Sequence, residues 1–438
     1  MTLDAHADSM TRSRSHSSGF WTVAYVLLIV MAFATMPSPL YGIYRIQDHL
    51  SALTITIVFA IFAAGTITAL LAVPRVARAV GRRGEMLAAV TAMMAGAGLL
   101  AAWKDLAVLL IARLLTGVGT GLAAGTAITY LIELRLRADP TASIVTPRTV
   151  GTSITVGGLG VGPLLAGCLA EWASWPLTLP YLVFLGLGAV GLAGLLLVPE
   201  TSPPVRGTAF ESSPRTRSAR LPVPAGAGTL SAFAASGLFA GLAGLILAQT
   251  FGHTSHALAG STLALVFTCG VVSQLATSRL GASRVLALGA VAMLAGLAAL
   301  AVSVRLPSSG LGLFLVSGAL IGAGLGAVFK GTTGIVLGVA APQDRLAMTS
   351  KLLIALYVGL SIPVVGAGIA LRKGATIANT VLAFAILVAL GVSISGALLL
   401  RRPAPGASPP AESFHSPTSP EPTHQAPPSA ERNRKETT

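Results

Sequence analysis

Residues 51–103 read SALTITIVFAIFAAGTITALLAVPRVARAVGRRGEMLAAVTAMMAGAGLLAAW. Two apolar runs, 51–73 and 85–103, flank a short stretch that holds Arg75, Arg78, Arg82 and Arg83. A hydrocarbon core about 30 Å thick takes about 20 apolar residues in a helix. Each run is therefore long enough to cross a bilayer. The four arginines hold the turn between them on the cytoplasmic side, where loop cations concentrate. Neither run alternates apolar with polar residues, and each is too long for a barrel strand.

The same reading extends in both directions. Twelve runs emerge: 20–44, 51–73, 85–103, 106–132, 149–170, 176–198, 228–250, 257–277, 285–304, 310–338, 347–371 and 376–400. The fold class expected is an all-α integral membrane protein with twelve transmembrane helices. Composition agrees: 53% of residues are hydrophobic and 10% are charged, against about 25% charged in a soluble domain. With Lys plus Arg at 29 and Asp plus Glu at 15, the net charge is +14. That excess suits nucleic acid only where it forms a solvated basic face, and here it does not. With the N-terminus inside, 22 of the 29 cations fall on the cytoplasmic side, 5 fall outside, and Arg113 and Lys330 lie within spans. Both termini are therefore expected in the cytoplasm of a multi-pass plasma-membrane protein.

The polar stretches divide the chain further. The expected layout is a cytoplasmic segment 1–19, a six-helix bundle 20–198, a cytoplasmic loop 199–227, a second bundle 228–401, and a disordered tail 402–438 rich in Pro, Ser and Glu. The run from Phe20 is longer than a signal-peptide core and lacks a cleavage site. Cys168 and Cys269 read as small buried hydrophobes rather than a disulfide or zinc site. The halves resemble one another at a shift of about 200: Gly81 with Gly281, Met93 with Met293, Gly96 with Gly296, and Gly117, Gly119 and Gly121 with Gly322, Gly324 and Gly326. Such repeats are common among secondary transporters.

Three local patterns carry a resemblance. In the stretch Pro74–Arg83, residues Gly81, Arg82 and Arg83 match a G-x-x-x-D-R-x-G-R-R loop, while Arg78, Ala79 and Pro74 stand where the pattern has Asp, Arg and Gly. Arg113 followed by Gly117, Gly119 and Gly121 matches R-x-x-x-G-x-G-x-G, and Gly158–Gly167, with Gly162 and Pro163, matches G-x-x-x-G-P-x-x-G-G apart from Ala166. Over about residues 20–400 the chain resembles a major facilitator superfamily transporter. That implies two six-helix bundles rocking about a central site. The loop pattern implies a conformational latch, and the third pattern implies an exporter of drug-like or amphiphilic compounds working by antiport, with protons as the coupling ion. Pro37–Tyr44, with Tyr41, and Pro199-Glu200-Thr201 also resemble segments of that family.

Each pattern has a plainer reading from the residues themselves. The loop arginines hold the loop inside or gate it. An arginine in hydrocarbon costs several kcal/mol unless it faces a cavity or a partner, so Arg113 lines a pathway or bonds backbone carbonyls. Gly158, Gly162, Pro163 and Gly167 let a helix bend or let a neighbour pack closely. Lys330 lies in the pathway or snorkels to the inner surface. With Tyr41 and Tyr357, Arg113 and Lys330 are the candidate cavity or coupling residues. Two cations at two depths favour an anionic or zwitterionic solute. Every acid falls in a loop, a tail or near a span end, which leaves Asp48, Glu133, His49, His253 and His256 as candidates for proton handling.

The functions expected are export of drug-like compounds or, alternatively, import of a small organic anion or other nutrient. A membrane-embedded enzyme is disfavoured, because no nucleophile, metal-ligand cluster or carboxylate pair is visible in the spans. No nucleotide-binding glycine loop is seen. No cofactor, metal or nucleic acid is expected. The partners are the solute, the bilayer and protons, with the chain acting as a monomer.

Overall fold

The computed structural model describes residues 2–202, 221–306, 309–341 and 344–401, and side chains from His16 onward except Leu346. The expected central loop (at 203–220) and tail (402–438) lie outside the described residues. The described chain is helical throughout. In order come α1 (Thr2–Thr35), a short 3-10 turn (Ser38–Leu40), α2 (Tyr41–Gln47), α3 (Ala52–Ala102), α4 (Leu106–Ala138), α5 (Val145–Trp172), α6 (Leu179–Leu197), α7 (Val223–Thr250), α8 (His256–Ala276), α9 (Ala282–Ser303), α10 (Gly310–Val339), α11 (Arg345–Arg372) and α12 (Ile377–Leu400). Eleven of the described helical segments are long and apolar enough to cross a membrane, and the 51-residue α3 holds two crossings. Twelve spans result, α1 to α6 forming one bundle and α7 to α12 the other.

Two breaks shape the first bundle. Pro37 and Pro39 have no N–H to donate, so α1 ends and the chain turns through the 3-10 segment into α2. In α3, Gly81 takes φ 75° and ψ 178° and breaks the helix between the two runs. Both arms then pack on α4. Gly121 of α4 abuts Thr66 and Ala69 of the first arm, and Gly119 abuts Ala89 and Met93 of the second.

The second bundle repeats this arrangement. Gly324 of α10 abuts Met293 of α9 as Gly119 abuts Met93, and Gly326 abuts Gly270 of α8 as Gly121 abuts Thr66. The sequence repeat is thus a repeat of contacts: small residues let backbones touch where the hydrophobic effect offers no drive. Four helices, α3, α4, α8 and α12, are capped by Ser51, Asp105, Ser255 and Thr376, whose side chains accept the N–H of Thr54, Val108, Leu258 and Asn379. Trp21, Trp103, Trp172 and Trp175, all near ends of spans, are all exposed. This is where an interfacial aromatic belt belongs.

Between the bundles, α5 meets α8 along a seam. Gly167 touches His256 and Gly260, Gly260 touches the Pro163 carbonyl, and Gly160 touches Ala264 and Phe267. On the other side of the molecule α3 meets α11, where Gly368 contacts Leu53 and Thr56.

Candidate functional site

Arg113 is the largest fully buried side chain among the described residues. Its Nη1 donates to the Ala34 carbonyl at 2.9 Å, at the end of α1. A helix C-terminus carries partial negative charge and unpaired carbonyls, so a cation belongs there. The proline break in α1 creates that terminus inside the bundle. The guanidinium also stacks 4.4 Å from the centroid of Phe62, with Phe59 at 5.9 Å, an arrangement favoured by the ring's negative face. Its remaining donors are unsatisfied: Nε and Nη2 have no partner among the described residues.

Other polar groups gather here. Tyr41 is close enough to Arg113 for a direct electrostatic interaction, and so is Tyr181. The Tyr41 hydroxyl and the Ser38 Oγ are buried without a partner among the described residues. Tyr44 and Tyr181 join hydroxyls at 3.2 Å. A buried polar atom without a partner costs about 1–3 kcal/mol. The two unpaired guanidinium donors, with the unpaired Tyr41 hydroxyl acting on the same group, make an arrangement suited to bind hydrogen-bonding oxygens of a ligand.

Outside this pocket is a cavity of about 360 Å³ between the bundles, lined by Ser38, Tyr41, Arg45, His253 and His256 among others. His256 on its wall also belongs to the α5–α8 seam. Here the Glu171 carboxylate, at the end of α5, accepts the N–H of His256 at 2.7 Å and of Ala257 at 3.3 Å. One bundle therefore caps a helix of the other.

The remaining candidates lie elsewhere. Tyr357 of α11 is buried, with its ring 6.2 Å from that of Phe62. Phe62 thus stands between Arg113 and the second bundle. Lys330 does not join this group. Its Nζ donates to the Gln274 carbonyl at 2.6 Å and to Thr277 Oγ1 at 3.3 Å, at the C-terminal end of α8. Gly117 and Gly121 lie against the backbone of the first arm of α3 at Phe62 and Thr66, and Gly158 and Gly162 lie against Met31 and Ala32 of α1. Gly167 and Pro163 face α8.

At the join between the two arms of α3, Gly81, Arg82 and Arg83 form a turn closed by Glu200. Its carboxylate accepts the N–H of Arg82 (3.0 Å), Arg83 (2.9 Å), Thr201 (2.9 Å) and Ser202 (2.9 Å). Glu200 lies just beyond α6 and so ties this turn to the same bundle. Arg78 donates its Nε to the carbonyl of Pro74, within its own helix. The segment 199–201 is held further by Tyr130, whose hydroxyl donates to the Pro199 carbonyl at 2.8 Å, and by Thr201, whose hydroxyl donates to Glu133.

One acid at a span edge is sealed inside the bundle. Glu85 is completely buried, with Oε2 accepting from Thr126 Oγ1 at 2.7 Å. The α3 arms fold back there and α4 covers it. Glu85, Glu171, Glu200 and Phe62 carry key contacts that residue type alone does not flag.

Known proteins supply the last observation. Residues 23–227 match the family model described as Major Facilitator Superfamily. Among solved structures, a crystal structure of a mutant of the nucleoside transporter NupG superposes with a TM-score of 0.65 at 12% identity, over 87% of this chain and 99% of that chain. A second structure of the nucleoside transporter NupG gives 0.62 at 12% identity, over 88% and 100%. No curated protein matches.

Proposed function

We propose that this chain, a transporter of the major facilitator superfamily, imports a small organic solute carrying an anionic group, by alternating access between its two bundles. One observation carries the reading: Arg113 is fully buried and leaves Nε and Nη2 free beside the unpaired hydroxyl of Tyr41. Donors held in a dry site and pointed at an oxyanion bind it far more strongly than they would in water. The cavity outside, with Arg45, His253 and His256 on its walls, attracts the same charge before entry. Solute entering from the outer side would pass Tyr41 and reach Arg113, with the α5–α8 and α3–α11 contacts separating as the bundles rock. Lys330 contributes through α8 rather than through the solute, because its ammonium is engaged by that helix's end. Proton coupling, a monomeric working state and residence in the plasma membrane belong to the same proposal.

Two structures of this fold are named nucleoside transporters, so polar biological solutes of that size make the first arm of a substrate panel. Small organic anions form the second arm and lipophilic cations the third. Uptake into cells expressing the chain is expected for an anionic member, and Arg113→Ala is expected to lower it by more than tenfold while protein remains in the membrane. Export is the second reading, favoured by the Gly158–Gly167 pattern. Reduced accumulation of the lipophilic arm, indifferent to Arg113→Ala, would replace the import reading with it.

A further inference from the structure

Among the described residues, Glu85 and Arg113 are the charged side chains buried below a tenth of their surface. Glu85 lies four residues past the reversal at Gly81, facing α4. Thr126 donates to its Oε2, and Arg82 Nη1 approaches the same oxygen at 3.7 Å. Oε1 has no partner among the described residues. Arg82 is shared, because its Nε lies 3.6 Å from Glu133 Oε1. The side chains of Arg82 and Glu133 keep 21% and 28% of their surface exposed, whereas that of Glu85 keeps none. Arg82 therefore stands between a sealed acid and one open to the cytoplasmic side. The other charged group acting on Glu85 is the Glu200 carboxylate, which is occupied by four backbone N–H groups.

An ionised carboxylate taken out of water needs a close cation and donors on both oxygens. Glu85 has one hydroxyl donor and a guanidinium divided with Glu133, and a second carboxylate is nearby. Its surroundings suit the neutral acid. Turning Arg82 from Glu133 onto Glu85 would suit the ion instead, and the guanidinium already lies within 4 Å of both acids.

We infer that Glu85 is a proton-binding site: it holds a proton in the arrangement seen here and gives it up toward the cytoplasm when Arg82 moves onto it. The carboxyl O–H bond breaks, the proton passes to water or to Glu133, and Arg82 neutralises the charge left behind. The site links cytoplasmic pH to the turn that joins the two arms of α3. It does not depend on the identity of any solute, so its test can fail independently of the transport reading.

The test is infrared difference spectroscopy of the purified full chain in lipid, titrated from acid to alkaline pH. A carbonyl stretch from a buried protonated carboxyl is expected, fading as pH rises and lost in Glu85→Gln. Arg82→Gln removes the nearby cation and is expected to move the fading upward by about one to three pH units. Should Glu85→Gln fail to fold, Arg82→Gln still tests the assignment with Glu85 intact. A band unchanged by Glu85→Gln, or a midpoint unmoved by Arg82→Gln, overturns it and leaves Glu85 an ordinary ion-pair partner.

Discussion

Gly81 shows how a single residue fixes a turn. Its φ of 75° suits glycine, and a Cβ placed there would lie 2.6 Å from Glu200 Oε2. Gly81→Ala therefore meets backbone strain and a collision together, and is expected to destabilise the first bundle by about 1–3 kcal/mol. The check is a lowered melting temperature in detergent, with Gly98→Ala, where an added Cβ meets open space, melting closer to the parent. Arg113 works through several weak partners instead: one carbonyl, a ring face and a neighbouring phenol. Its importance was legible because a lone cation in an apolar run is costly wherever it points. Glu200 and Glu171 were not legible in the same way. Their partners are backbone N–H groups, which every residue but proline offers, so no residue type at the far end announces the bond.

Among elements, the α5–α8 seam joins the bundles. The small residues of α5 signalled close packing, yet α8 offers little matching pattern beyond Gly260, so the partner helix had to come from the fold. Packing alone would leave the seam free to slide, and Glu171 adds a directional contact at its outer end. Glu171→Gln weakens a charged helix cap, for which about 1 kcal/mol is typical. With Cys168→Ser and Cys269→Ser removing the native thiols, a reporter introduced as Ala259→Cys, on the cavity wall, is expected to react about fivefold faster with a membrane-impermeant maleimide when Glu171→Gln is present. An unchanged rate would mean that the glycine contacts hold the seam without help. Neither break within an element is read from the sequence: the run 20–44 passes over Pro37 and Pro39, where α1 ends, and the Gly81 reversal depends on Glu200, 119 positions away in the sequence.

For the whole molecule, charge and hydropathy carried the reading furthest. The twelve spans and their two-bundle division follow from lengths of apolar sequence, since a bilayer imposes one dimension on every crossing. Contacts between spans do not follow, because many faces rich in Ala, Gly and Leu are interchangeable until three-dimensional packing chooses among them. Orientation rests on the cation count. An epitope placed after Thr438 is expected to stain only after the plasma membrane is permeabilised, whereas one inserted between Lys373 and Gly374, an exposed turn, is expected to stain intact cells. The reverse pattern would invert the molecule and put the Arg113 pocket near the cytoplasm.

The sharp join inside α3 also sets a limit on how this chain can change. Ordinary connections absorb added residues as slack, but here the two arms meet at one glycine without a loop between them. A residue added just after Gly81 would have to enter the second arm, turning everything beyond it by about 100°. The face that meets α4 at Ala89, Met93 and Gly96 would then look toward lipid. Length variation among descendants of this chain should therefore collect elsewhere, and the spacing from Thr66 to Met93 should behave as a ruler.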